Sequence, residues 1–241
     1  MGYRQIYGIN DKSALLREKE IRYEWSAVKE SLSSKSLLSE ELDGSVSIET
    51  ELINCITICC KPALFLSTLF DRESRTVNYY VYRDKLLAIE PDNLLADTYI
   101  FVPLKSINAL VNRVMDDFFG LSDFTASGDR FTAPEISLAK AFADKTAEAV
   151  EYLRGDFGAD GSDFVESLLD CFNTGSTAFL YFQKPNENIA HEVRFVSRGK
   201  TLYIVKPLLE NKAYSEIIGA DRAAVKQYIS SLIGNTREGS A

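Results

Sequence analysis

Histidine is nearly absent from this sequence, His191 being the single copy, and none of the four cysteines stands in a C-x-x-C pair. Zinc modules draw four ligands from paired cysteines and histidines at set spacings, so a metal reading is left without its ligands. No apolar run reaches the roughly 18 residues that a membrane-spanning helix needs, and the opening "MGYRQIYGIN" lacks the apolar stretch of a secretory leader. A myristoylation signal is missing too, because position 6 holds Ile rather than Ser or Thr. Positive charge is in deficit, with 27 Lys and Arg against 35 Asp and Glu for a net charge of -8. No Lys or Arg cluster is interleaved with aromatics, so a surface that tracks phosphates, and nucleic acid as a partner, are not expected. G-x-S-x-G, P-loop, G-x-G-x-x-G, H-E-x-x-H and EF-hand patterns are all lacking. These absences point to a cytoplasmic protein without membrane insertion, and to a protein that is not an enzyme and uses no cofactor or metal.

What is present is enough apolar material for a core: 46% of the 241 residues are hydrophobic and 26% charged, enough for one large or two modest domains. Three cysteines fall close together in "LINCITICCKPALFLSTLF" (52–70), and Cys55, Cys59 and Cys60 share a helical segment with Leu52, Ile53 and Ile56. Free cysteine in such a stripe behaves as a small hydrophobe. A thiol nucleophile, Cys59 or Cys171, would need a positioned base, and His191 is the only imidazole. Nothing in the sequence brings them together.

The same stretch exposes a possible repeat. Shifted by 116 residues, Leu52 meets Leu168, Ile53 meets Leu169, Cys55 meets Cys171 and Phe65 meets Tyr181. "VYRDKLLAIEP" then lies over "VSRGKTLYIVKP", matching Arg83 with Arg198 and Pro91 with Pro207. Further on, Ile107, Leu110, Val111, Val114 and Met115 fall on Val225, Tyr228, Ile229, Leu232 and Ile233, an amphipathic helix face in both copies.

Each half reads helix, helix, strands, helix. Ile21, Trp25, Val28 and Leu32 form the first stripe, "SLSSKSLLSEELDGS" breaks it, and 48–60 form a second helix. In the other half "TAPE" (132–135) reads as a capping box with Pro134 at the first helical position. Leu138, Phe142, Ala149 and Leu153 form one stripe, "GDFGADGSD" breaks it, and a helix capped by Ser162 or Asp163 follows over 162–172. Dense aromatic and β-branched strands with short connectors such as "RD" and "RG" imply antiparallel hairpins, with no crossover helix between them. The expected fold class is α+β: two similar halves with antiparallel sheets related by a pseudo-twofold, at 1–120 and 132–241 with a joint over 121–131. Asp116 and Asp117 sit near a helix C-terminus, where the dipole disfavours negative charge, and read as a solvated helix end.

The helix and loop "WSAVKESLSSKSLLS", then "ELINCITICCKPALFLSTL", "YYVYRDKLLAIEP" and the closing "GADRAAVKQYISSLIG" together resemble the EspG family, cytosolic chaperones associated with type VII (ESX) secretion. The resemblance spans roughly residues 11 to 235 and rests on pattern and order. It implies a non-enzymatic chaperone that keeps helical substrates soluble for export, with a helical secreted protein or a secretion-system component as partner. Family members grip the tip of a helical hairpin with sheet surface, a strand-connecting loop and C-terminal helices. Carried onto this chain, that implies partner contacts at Asp71, Arg72, Glu73 and Arg75 in the first hairpin, and at Phe164, Leu168, Tyr228 and Leu232 on helices. The alternative reading is another protein-binding module, such as an immunity protein that neutralises a toxin.

Overall fold

A computed structural model describes residues 17–70, 75–92, 98–120, 122–157, 161–184, 190–208 and 210–234. The chain divides into two compact units, Met1–Pro62 and Ala63–Ala241.

The first unit holds helix α1 (Glu18–Ser34), strands β1 (Leu38–Glu40) and β2 (Val46–Ile48), and helix α2 (Thr50–Cys60). The carboxylate of Glu20 closes the start of α1 by accepting from the Arg17 N–H at 2.7 Å, and Glu49 caps α2 by accepting from the Leu52 N–H at 3.2 Å. The segment expected only to break the helices instead folds into an antiparallel pair, Leu38 opposite Ile48. Gly44, at φ 81°, supplies the positive φ its turn needs.

The second unit is built on one nine-stranded sheet. Its strands are β3 (Leu64–Phe70), β4 (Arg75–Tyr82), β5 (Lys85–Pro91), β6 (Tyr99–Leu104), β7 (Arg130–Pro134), β8 (Ala178–Gln183), β9 (His191–Arg198), β10 (Thr201–Pro207) and β11 (Tyr214–Gly219). Their order is β6-β5-β4-β3-β8-β9-β10-β11-β7. Every neighbouring pair is antiparallel, so the α+β class with antiparallel strands holds. Two meanders run outward from the central β3–β8 pair, where Leu66 lies opposite Phe182. Five helices accompany the sheet: α3 (Ile107–Phe119), α4 (Glu135–Asp144), α5 (Ala147–Phe157), α6 (Ser162–Thr174) and α7 (Arg222–Gly234).

Strand side chains alternate between faces, and each face has its own core. On one, Leu64, Leu66, Tyr79, Leu180 and Phe195 pack with Leu110, Val114 and Met115 of α3 and Val225 and Ile229 of α7. On the other, Phe179, Val196, Tyr203 and Ile217 pack with Leu138, Phe142, Val150, Phe164 and Leu168 of α4–α6. The rings of Phe164 and Tyr203 meet edge-on at 5.3 Å.

Three local expectations are corrected. Thr132 is not a cap: it lies in β7 opposite Glu216, so its backbone is committed to the sheet, and the Glu135 side chain turns to Arg194 and Ser215. The single stripe from Leu138 to Leu153 is two helices, because Lys145 takes a left-handed φ of 51° and the Thr146 hydroxyl accepts from the Ala149 N–H at 3.2 Å to begin α5. Helix α6 is preceded by Gly161, with no side-chain cap from Ser162 or Asp163.

Candidate functional site

The residues singled out as partner contacts separate in the folded chain. Asp71, Arg72 and Glu73 lie outside the described residues, and Arg75 opens β4 opposite Phe70. Phe164 and Leu168 are 0% exposed, in the core beneath α6. Tyr228 and Leu232 are half-buried on α7 and pack on the opposite core. The Lys206 ammonium sits 5.4 Å from the centre of the Tyr228 ring, and burial pushes that phenol up to about 12. Of the four positions with described side chains or backbone on these helices, only the two on α7 reach the surface.

Sequence periodicity passed over a largely apolar cleft with charged groups at its wall, where β9, β10 and β11 meet the start of α4. It has a volume of about 250 Å³ and is lined by Glu135, Arg194, Val205, Pro207, Lys212 and Ser215, among others. Arg194 is the centre of the cluster. Its guanidinium donates to Glu135 at 2.8 Å and to Glu192, and stacks over the Phe142 ring at 4.8 Å. The Ser215 hydroxyl donates to the second oxygen of Glu135. The one legible hint was Pro134-Glu135 ahead of a helix, read as a capping box because the distant Arg194 has no local signature. Charges fixed in this way hold α4 against the sheet beside a recess whose lining is mainly apolar. Such a recess suits binding better than proton transfer, since both carboxylates are held in ion pairs.

A second cluster explains the adjacent aspartates at the end of α3. Asp116 accepts from Arg222 at 2.8 Å, joining α3 to α7, and Asp117 accepts from the Tyr79 hydroxyl. Burial, with the Asp117 charge beside it, pushes the Tyr79 phenol well above its ordinary range. One turn earlier, Arg113 donates to Glu90 at 2.6 Å.

Burial disfavours the thiolate at Cys59, Cys60 and Cys171. Burial raises Cys59 to about 12, with Cys55 and Cys60 adding to the effect, and burial also raises Cys171 despite hydrogen bonds with Ser176 and Ser197. The Cys171 Sγ–H donates to the Ser197 carbonyl at 3.1 Å. The His191 ring stacks on Phe182 with centroids 5.0 Å apart. Among the described residues no group of three His, Cys, Asp or Glu side chains is placed to hold a metal ion, and no helix is long and apolar enough to cross a membrane.

No family profile and no curated protein matches the sequence. Among solved structures, the chain is similar in fold to EspG5 of Mycobacterium tuberculosis, a type VII secretion system chaperone determined in complex with the PE25–PPE41 dimer. The likeness has a TM-score of 0.57 at 10% sequence identity and covers 85% of this chain and 83% of EspG5. At that identity it establishes a shared fold.

Proposed function

We propose that this protein is a cytosolic chaperone or adaptor of a type VII secretion system, binding a helical protein substrate and keeping it soluble for export without catalysing a reaction. The observation that carries the reading is the fold shared with EspG5 over 85% of the chain. The burial of Cys59 and Cys171 supports its non-enzymatic part, because the thiolate is the nucleophile and burial disfavours that charged form in both. The half-buried Tyr228 and Leu232 of α7 are the retained helix contacts, since Phe164 and Leu168 are enclosed.

Affinity capture of the tagged chain from its native cells, read by mass spectrometry, tests this function. The expected result is a small helical secreted protein or a component of the secretion machinery. That captured protein, expressed alone, is insoluble and becomes soluble when co-expressed with this chain. Recovery of no such protein, or a captured protein equally soluble on its own, overturns the reading.

A further inference from the structure

Among the described residues the sheet ends in β6 on one side and β7 on the other, and the two edges are guarded differently. An edge strand presents a row of unpaired N–H and C=O groups, and folded proteins blunt it with charge, proline, a bulge or short length. Strand β7 has such guards: it is five residues long, ends in Pro134 and carries Arg130, whose guanidinium donates to Glu216 at 2.6 Å. Strand β6 reads Tyr-Ile-Phe-Val-Pro-Leu, with no charge in six residues. Its register is with β5, Ile100 opposite Glu90 and Val102 opposite Ala88, and among the described residues no strand pairs with its other side. Tyr99 is 46% exposed and Ile100 is 43% exposed, and as neighbours they point to opposite faces of the sheet. Pro103 is the one guard, and since backbone groups turn outward at alternate residues it leaves those of Tyr99 and Phe101 open.

We propose that β6 is a self-association edge, where a second copy of this chain adds its own β6 in antiparallel register and joins two nine-stranded sheets into one. The occupant follows from charge and symmetry. A twofold interface sets a patch against itself, so charges in it would be crowded against their own copies; β6 has none. A register centred on Phe101 sets Phe101 opposite the partner's Phe101 and Ile100 opposite the partner's Val102, aromatic and β-branched pairs that favour sheet pairing. Pairing of β6 with β7 would instead place Arg130 along an apolar strand and propagate head to tail. Pairing of β6 with β6 closes, leaving the guarded β7 at both outer ends. A strand pair of this length covers less than the roughly 1,200 Å² of a standard specific interface, so the association is expected to be weak and reversible.

Sedimentation equilibrium on the full chain tests the proposal. The apparent mass is expected to rise from 27.0 kDa toward twice that value as concentration is raised through about 100 µM. Over the same range, amide exchange should slow at Tyr99 and Phe101 and stay unchanged at 130–134. Ile100→Lys places a gatekeeper charge at the exposed position and is expected to weaken association by roughly tenfold or more at unchanged circular dichroism. Ile136→Lys, at a position 80% exposed on α4, should leave association intact. A monomer at every concentration overturns the proposal and leaves β6 open to an extended segment of another protein. A dimer without concentration-dependent protection in β6 overturns it as well. Should Ile100→Lys misfold, the exchange comparison on the native chain decides alone.

Discussion

The arm β3–β6 and the arm β8–β11 leave the centre of the sheet by the same kind of meander, yet different chemistry ties each one down. In the first arm the strands reach α3 through Tyr79 to Asp117 and Glu90 to Arg113. In the second, Arg194 and Ser215 reach α4 through Glu135 and Glu216 bridges within the sheet to Lys206 and Arg130, while α4–α6 add an aromatic core on the opposite face. Glu90 and Lys206 each precede the last proline of their strand, Pro91 and Pro207, and carry opposite charge. Each is matched by a partner of the other sign, Arg113 or Glu216. The lesson is that the apolar alternation of the strands sets the meander, whereas the polar ties exchange freely so long as each buried charge is paired.

The largest asymmetry is the aromatic core of the second arm. Phe164→Ala removes a ring with 0% exposure that meets Phe131, Phe157 and Tyr203, and is expected to cost about 3–5 kcal/mol by denaturant unfolding. A loss under about 1 kcal/mol would show that the core collapses around the gap and that the second arm does not depend on it. The corresponding test of the first arm is Tyr79→Phe, which keeps the ring and deletes the hydroxyl bonded to Asp117. Its expected cost is about 1.5–3 kcal/mol, the range for a hydrogen bond to a charged acceptor. If Phe164→Ala and Tyr79→Phe cost the same, the aromatic core of the second arm contributes no more than a single polar tie of the first.

The strands were legible because aromatic and β-branched alternation is a local signal, and the short connectors "RD" and "RG" fixed their antiparallel sense. What covers a helix face is not local. The stripe Ile21, Trp25, Val28 and Leu32 of α1 is as clear in sequence as the stripe of α6, yet no residue of α1 is buried and Trp25 is 47% exposed. Phe164 and Leu168, expected at a partner surface, are enclosed because α6 packs against both α5 and the sheet. Strand β7 was hidden because "RFTAP" is short, ends in proline and pairs with β11, some 80 residues later in the chain. The cluster at Arg194 was invisible for the same reason: Glu135, Glu192 and Ser215 come from three elements, and no spacing announces them.

Acid titration sharpens the comparison on the side of the second arm. Burial by itself raises the Glu216 carboxyl, but the hydrogen bonds and charges of Arg130 and Lys206 outweigh it and hold the group below its ordinary value of 4.5. A group whose folded pKa is depressed contributes stability that is present above its unfolded value and is lost as pH falls through the folded one. Glu216→Gln is therefore expected to cost about 1 kcal/mol at neutral pH, since Arg130 is largely exposed. The variant should also show a shallower loss of stability below about pH 4.5. An acid limb identical to that of the unaltered chain would remove Glu216 from the account.

The smallest contrast lies in the two-residue turns. The β4–β5 turn places Arg83 at φ 55° and the β9–β10 turn places Gly199 at φ 57°, so the same backbone is made once with a side chain and once without. A left-handed conformation costs a non-glycine residue about 1 kcal/mol or more, and Gly199→Ala should lower stability by about that amount. Nothing lies within 4 Å of the added Cβ, so the cost comes from the backbone alone. Arg83→Gly relieves the same strain, but it frees the unfolded chain and gives up the guanidinium contact over the Tyr82 ring at 5.4 Å. The net gain is expected to be under about 0.5 kcal/mol. Equal and opposite shifts in melting temperature for the two substitutions would mean that the ring contact contributes nothing, and that the turns differ only in which residue bears the strain.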